Sequence, residues 1–236
     1  IARLLPGRET AWRWAAVAAA AVLSAPSAAA LDPPPARADT GTPTPSVPSV
    51  FAPPWQDPGF AGPEGGQAAL APDTERGLVR ELDAYRAEIP GDFSIAAVEL
   101  DSGAAFGYRP EEPFTPGSVV KLDILTILLL QAQTGGRPLD DAERALAKAA
   151  IGYSDNDAAD GLFERIGTYA GFHEGRARLG LAETEERFGG RWGLVTTTAR
   201  ERLALLRIIY TDEGPLAADH RETARGFLSG VAPEQA

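Results

Sequence analysis

Two residues, three positions apart, could carry out nucleophilic chemistry. Ser118 and Lys121 form an S-x-x-K motif, and because three residues is just under one helical turn, a helix would place the hydroxyl and the ammonium on one face. A serine hydroxyl needs a base to take its proton, and a lysine can do so only when its pKa is lowered. Desolvation and the positive end of a helix would both lower it. The spacing predicts Ser118 as nucleophile, with its own N–H available to an oxyanion, and Lys121 as base.

A second motif, Ser154-Asp155-Asn156, lies between two predicted helices. A serine hydroxyl in such a turn can relay a proton to a leaving nitrogen, and an asparagine amide can bind an amide of the substrate. The same three residue types also commonly end one helix and cap the next. Both interpretations of this motif stay open on the spacing alone.

The S-x-x-K motif has a structural alternative as well, in which Ser118 is an ordinary helix cap and Lys121 a surface residue. Lysine occurs only at positions 121 and 148, in a chain that otherwise uses arginine as its cation. Arginine cannot act as a base at neutral pH. The presence of a lysine at position 121, in place of the arginine used elsewhere, favours the catalytic interpretation.

These motifs must be positioned by the elements around them. The run from Ser118 to Gln131 is apolar on nearly every side after its first turn, which predicts a helix buried in the middle of a domain. A β-hairpin is predicted ahead of it. Its first strand covers residues 93–100, the chain turns at residues 101–103, and the second strand runs through Phe106 and Tyr108. A first helix is expected from an N-cap at Asp73. Helical patterns also cover residues 140–151, 157–166, 168–179, 198–210 and 217–228.

An S-x-x-K that opens an apolar helix after a hairpin, followed by S-D-N at the next helix junction, resembles the serine β-lactamases and penicillin-binding proteins. The likeness is greatest to the class A β-lactamase-related serine hydrolases and covers about residues 73–228. Leu179-Gly180-Leu181 and Thr196-Thr197-Thr198 are similar to the approach to and exit from that family's Ω-loop. The resemblance implies an α+β, β-lactamase/transpeptidase-like fold. In that fold a helical subdomain surrounds the S-x-x-K helix and lies beside an antiparallel sheet. We expect only the N-terminal hairpin of that sheet to be present in this chain.

The resemblance also implies a role for each motif residue. Ser118 would be acylated, and Lys121 would be the acylation base or part of its relay. Ser154 would carry the proton to the departing lactam nitrogen. Asn156 would hold the acylamino side chain of the substrate.

Two family features do not have clear equivalents. No lysine follows Lys148, so the Lys-Thr-Gly motif of an inner strand is absent. We expect a domain truncated at its C-terminus, and an unstable or inactive chain whose full-length parent is active. The stretch from Glu183 to Gly190 matches the Ω-loop position but has no Asn after its acidic residues, so the deacylating base is not identified.

The N-terminal segment has the order of an export signal. Arg3, Arg8 and Arg13 precede an apolar run from Trp14 to Leu23, and small residues follow up to Ala30. We predict a secretory signal peptide over residues 1–30, with a membrane anchor as the alternative. Residues 31–72 are rich in Pro, Ala and Gly, which predicts a disordered tether. The hydrolase domain would then occupy residues 73–236, in a secreted or cell-envelope protein.

Composition excludes several classes of function. The formal net charge of −11 disfavours nucleic acid as a partner. The chain has no cysteine, and its two histidines are His173 and His220, so we predict no metal site and no catalytic thiol. We expect a monomer that needs no cofactor.

Together these features predict an exported serine hydrolase that opens β-lactam rings through a Ser118 acyl-enzyme. One alternative is a penicillin-binding D-Ala-D-Ala peptidase or esterase, which shares the acylation step but deacylates slowly. Another is a non-catalytic cell-wall binding module with the same fold. The substrate would be a small β-lactam or a cell-wall peptide.

Overall fold

A computed structural model describes residues 70–100, 103–181 and 192–233. In this part of the chain there are seven α-helices and one two-stranded antiparallel sheet, so the fold is α+β and mostly helical. The elements in chain order are α1 (Pro72–Glu88), β1 (Ile95–Val98), β2 (Ala105–Tyr108), α2 (Lys121–Thr134), α3 (Asp141–Gly152), α4 (Asn156–Arg165), α5 (Thr168–Arg178), α6 (Ala199–Tyr210) and α7 (Ala218–Ser229).

The central helix, α2, is buried on every side. The residues from Asp123 to Leu130 are all buried, and α2 packs against α4, α5 and α7, with fewer contacts to α3. Because half of its residues are Leu and Ile, spread around the helix, it has no polar face that could turn to water. This confirms the prediction of a helix buried in the middle of the domain.

The hairpin packs on α6. Strands β1 and β2 pair in an antiparallel register that sets Ile95 opposite Tyr108 and Val98 opposite Ala105. Ala96 and Val98 form a small apolar cluster with Ala199 and Leu203 of α6. The alternation of β1 therefore turns these two side chains onto a helix from the other end of the described chain.

The sequence patterns located the elements within a few residues. The first helix and the S-x-x-K helix begin at residues other than those predicted. The first helix begins at Pro72, with Ala71 in the N-cap position, so Asp73 lies in the first turn and is not the cap. This suits proline, which is favoured at the start of a helix because it lacks an N–H. The S-x-x-K helix also begins later, since residues Gly117–Val120 form a 3₁₀ turn and α2 starts at Lys121.

Several predictions fall outside the described residues: the signal peptide, the tether up to residue 69, and the stretch from Glu183 to Gly190. The assignment of residues 73–236 to one domain stays a prediction. Within residues 70–233, less the two gaps, no helix is long and apolar enough to cross a membrane. No group of three or more acidic or histidine side chains in the same residues could hold a metal ion.

Candidate active site

The S-x-x-K motif spans the junction between the 3₁₀ turn and α2. A 3₁₀ helix has 3.0 residues per turn, so residues i and i+3 lie one above the other, and this is the relation between Ser118 and Lys121. The turn begins at Gly117, whose φ of +54° is one that glycine adopts without strain. Ser118 is exposed, whereas Lys121 is only 2% exposed. The junction thus presents the hydroxyl to solvent and buries the amine.

Ser154 lies between α3 and α4 and turns two groups toward Lys121. Lys121 Nζ donates hydrogen bonds to the Ser154 carbonyl oxygen at 2.5 Å and to its Oγ at 3.1 Å. Ser154 has a φ of +55°, a left-handed conformation that costs free energy for a residue other than glycine and occurs often at functional sites. This backbone conformation brings both oxygens of Ser154 to the one amine.

The same hydroxyl also reaches Ser118. Ser154 Oγ lies 2.9 Å from Ser118 Oγ, within hydrogen-bond distance. In the described part of the chain, no direct hydrogen bond joins Lys121 to Ser118, so Ser154 connects them. The geometry therefore forms a line of three groups, Ser118 to Ser154 to Lys121, along which a proton can move because each hydroxyl both donates and accepts.

Burial is the main influence on the protonation of Lys121. Desolvation lowers the pKa of Lys121 below its ordinary value of 10.5, while the carboxylates of Asp155 and Asp160 act in the opposite direction. Desolvation disfavours the charged form of the amine, and the two carboxylates favour it. The net lowering is the change that a base at neutral pH requires.

Asn156 is the first residue of α4, and a helix cap determines its place. The side chain of Asp155 accepts a hydrogen bond from the backbone N–H of Ala158 at 2.9 Å and so caps the helix. Asn156 then lines a cavity of about 780 Å³ together with Ser118. The cavity is within the size range of small-molecule sites. The other lining residues are Gly117, Asp160, Phe163, Glu164, Thr168, Trp192, Gly193 and Leu194.

The structure adds two residues to the site that the motifs did not indicate. Trp192 lies in a 3₁₀ turn, with its ring centre 5.6 Å from Lys121 Nζ. Its Nε1 donates a 2.6 Å hydrogen bond to Asp160 Oδ1. Asp160 is four residues after Asn156 and hence on the same face of α4, a relation that the sequence could have shown. Trp192 carried no sequence signal, because nothing local connects it to Lys121.

A buried ionic network lies along α2, two residues beyond Lys121. Asp123 is fully buried and forms ion pairs with Arg176 of α5 and Arg202 of α6. Arg176 also pairs with Glu201 at 2.7 Å, and Arg202 Nε donates to Thr197 Oγ1 at 2.8 Å. The two carboxylates balance the two guanidinium groups, as buried charges require. This network joins the motif helix to two others.

We expect Asp123→Asn to destabilise the protein by about 3–5 kcal/mol, because it leaves two buried guanidinium groups with one fewer carboxylate. Urea unfolding followed by circular dichroism measures this change. Asp212→Asn removes an exposed carboxylate and is the matched control, with an expected effect within about 0.5 kcal/mol. Equal midpoints for the two variants would mean that the network contributes nothing to stability.

Part of the chain matches a known protein family. Residues 77–144, which include Ser118 and Lys121, match a family model described as the β-lactamase enzyme family. No curated protein sequence matches the chain significantly.

Solved β-lactamases share the fold. An ancestral class A β-lactamase is 23% identical, with a TM-score of 0.55, over 66% of this chain and 72% of that one. A β-lactamase from Streptosporangium roseum is 24% identical, with a TM-score of 0.53, over 68% and 71%. One from Burkholderia vietnamiensis is 21% identical, with a TM-score of 0.55, over 67% and 69%. These structures show that the chain shares the fold of class A β-lactamases, and the family match covers residues 77–144.

Proposed function

We propose that this protein at its natural length opens β-lactam rings through an acyl-enzyme on Ser118; it has the serine β-lactamase fold and matches the β-lactamase enzyme family over residues 77–144. The observation that carries the proposal is the line of hydrogen-bonded groups from Ser118 through Ser154 to the buried Lys121. This line ends at an exposed hydroxyl on the wall of a cavity. A nucleophile connected to a base at hydrogen-bond distances is the arrangement that covalent catalysis needs.

In the proposed acylation step, Ser118 Oγ forms a bond to the lactam carbonyl carbon. Its proton passes to Ser154 Oγ, while the hydroxyl proton of Ser154 passes to the neutral amine of Lys121. The carbonyl oxygen becomes an oxyanion. Because Lys121 is then an ammonium, it holds the proton that the leaving group needs.

In the second half of acylation, the carbon–nitrogen bond of the lactam breaks. The proton returns from Lys121 through Ser154 to the departing nitrogen, and the substrate remains as an ester on Ser118. Asn156, on the same cavity wall, donates a hydrogen bond to an amide carbonyl of the substrate side chain. Water then cleaves the ester and regenerates Ser118.

Export is a separate part of the proposal. The order of Arg3, Arg8 and Arg13, an apolar run and small residues up to Ala30 supports a secreted or cell-envelope location. The enzyme would act there on β-lactams as a monomer. A cell-wall peptide is the competing substrate, since it shares the acylation chemistry.

A mass-spectrometric time course with a chromogenic cephalosporin tests the proposal. Intact mass and colour are followed together, and peptide mapping locates any adduct. A transient adduct on Ser118 with continuous colour supports a β-lactamase. A persistent adduct on Ser118 without turnover supports a penicillin-binding peptidase in its place, and the absence of any adduct under saturating substrate contradicts both enzymes.

A further inference from the structure

Trp192 is in contact with the amine that the reaction uses. Its ring lies over Lys121 Nζ at 5.6 Å from the ring centre, while both described hydrogen bonds of that amine go to Ser154. The indole is therefore a neighbour of the amine in addition to Ser154, and Lys121 is only 2% exposed. Trp192 also lines the cavity beside Ser118. The ring is thus close to the amine and part of the cavity wall.

Asp160 holds this ring in place. The 2.6 Å hydrogen bond from Trp192 Nε1 to Asp160 Oδ1 joins the 3₁₀ turn at residues 192–194 to α4. A hydrogen bond to a charged acceptor is stronger than one between neutral groups. The indole is therefore fixed at one end by a carboxylate and lies over the Lys121 amine.

We propose that Trp192 is a positioning residue for the Ser118 reaction: held by Asp160, its indole covers the Lys121 amine and keeps water from it. This inference rests on the proposed function, because it assigns Lys121 the role of base. The exclusion of water favours the neutral amine, which is the form that can accept the proton from Ser154.

Few charged groups oppose this effect. The carboxylates that act on Lys121 are Asp155 and Asp160, both from α4. Asp123, two residues along α2, faces Arg176 and Arg202. Asp160 therefore has two effects of opposite sign: its hydrogen bond holds the indole over the amine, and its charge favours the ammonium. Replacement by asparagine separates them, since the amide oxygen can still accept the indole N–H.

The chain offers a direct test, because lysine occurs only at positions 121 and 148. Protein labelled with ¹³C at the lysine ε carbon gives two NMR signals, and Lys148→Arg assigns them. We expect the Lys121 signal to titrate below the ordinary lysine value of 10.5. Trp192→Ala should raise the titration midpoint of Lys121 by about one pH unit, because water reaches the amine. Trp192→Phe should change it less, because the phenyl ring still covers the amine.

Asp160→Asn should lower the midpoint, again by about one pH unit, because a nearby negative charge is removed while the indole stays held. Asp157→Asn removes an exposed carboxylate one turn earlier on the same helix, and should leave the midpoint unchanged. An unchanged or lowered midpoint in Trp192→Ala would overturn the inference. If that variant does not fold, Trp192→Phe and Asp160→Asn decide together. A small rise of the Lys121 midpoint is expected with phenylalanine and a fall with asparagine, and the absence of a shift in both variants overturns the inference.

The pH profile of Ser118 acylation supplies a second readout and separates this inference from the proposed function. If Ser118 forms adducts and the acid limb of the profile moves with the Lys121 midpoint from variant to variant, both the proposed function and the role of Trp192 are supported. Adduct formation with an unmoved limb overturns the role of Trp192 alone. Absence of adducts overturns the proposed function, whereas the NMR titration still tests whether the indole keeps water from the amine.

Discussion

Replacing Ser118 with alanine is expected to abolish the covalent adduct and to lower β-lactam hydrolysis by about 10⁶-fold, as removal of the nucleophile does in other serine hydrolases. The reason is that Ser154, although only 2.9 Å from Ser118, is held by the Lys121 amine on its other side. Its hydroxyl is a bridge in this geometry, so it should not substitute as the nucleophile. Intact mass and initial rates with the chromogenic cephalosporin measure the loss.

Val119→Ala is the matched control for this variant. Val119 is the next residue in the same 3₁₀ turn and is 39% exposed, so truncation should leave the adduct and most of the rate. Equal labelling of Ser118→Ala and the unaltered protein would place the nucleophile elsewhere. Substrate affinity should change little in Ser118→Ala, because the cavity wall loses a single oxygen atom.

Lys121→Arg has the second largest expected effect. Arginine keeps the positive charge but cannot give up its proton at neutral pH, so acylation of Ser118 should slow by on the order of 10²–10⁴-fold. The pH dependence should change as well. In the unaltered protein the rate rises as pH increases through the pKa of Lys121, which burial holds below 10.5. In the arginine variant this rise should be lost over the same range.

Lys148→Arg makes the same substitution at the exposed lysine of α3 and should retain both the rate and the pH profile. Because Lys121 is buried, thermal unfolding of each variant must accompany the kinetics, so that loss of folded protein is not taken for loss of the base. A folded Lys121→Arg protein that acylates at the normal rate would assign the base to another group.

Much of the fold could be read from local patterns. The apolar run after Lys121 predicted a buried helix, and α2 is buried from Asp123 to Leu130. The helical periods predicted α3 to α7 within two residues at each end, since amphipathic spacing depends on near neighbours only. Turn residues at 101–103 located the hairpin for the same reason. The N-cap at Asp73 was wrong because proline, one residue earlier, suits the first helical position better.

The long-range contacts could not be read in this way. Asp123 interrupts an apolar run and gave no indication that it would meet Arg176 and Arg202, which are 53 and 79 residues away. The pairing depends on how α5 and α6 pack against α2. A periodicity within one helix holds no information on which charged side chain of another helix will face it.

The candidate site also has features that local sequence indicated and features that only tertiary packing decided. Sequence spacing indicated Ser118, Lys121, Ser154 and Asn156 as candidates, because each pair is close in the chain and a helical turn or cap relates its members. Their roles came from the resemblance of the two motifs to a known family. Tertiary structure decided that Ser118 and Lys121 are connected through the Ser154 hydroxyl. It also placed Trp192 over the amine. These contacts join residues more than 30 positions apart, and only the packing of the helices, driven by burial of their apolar faces, brings such residues together.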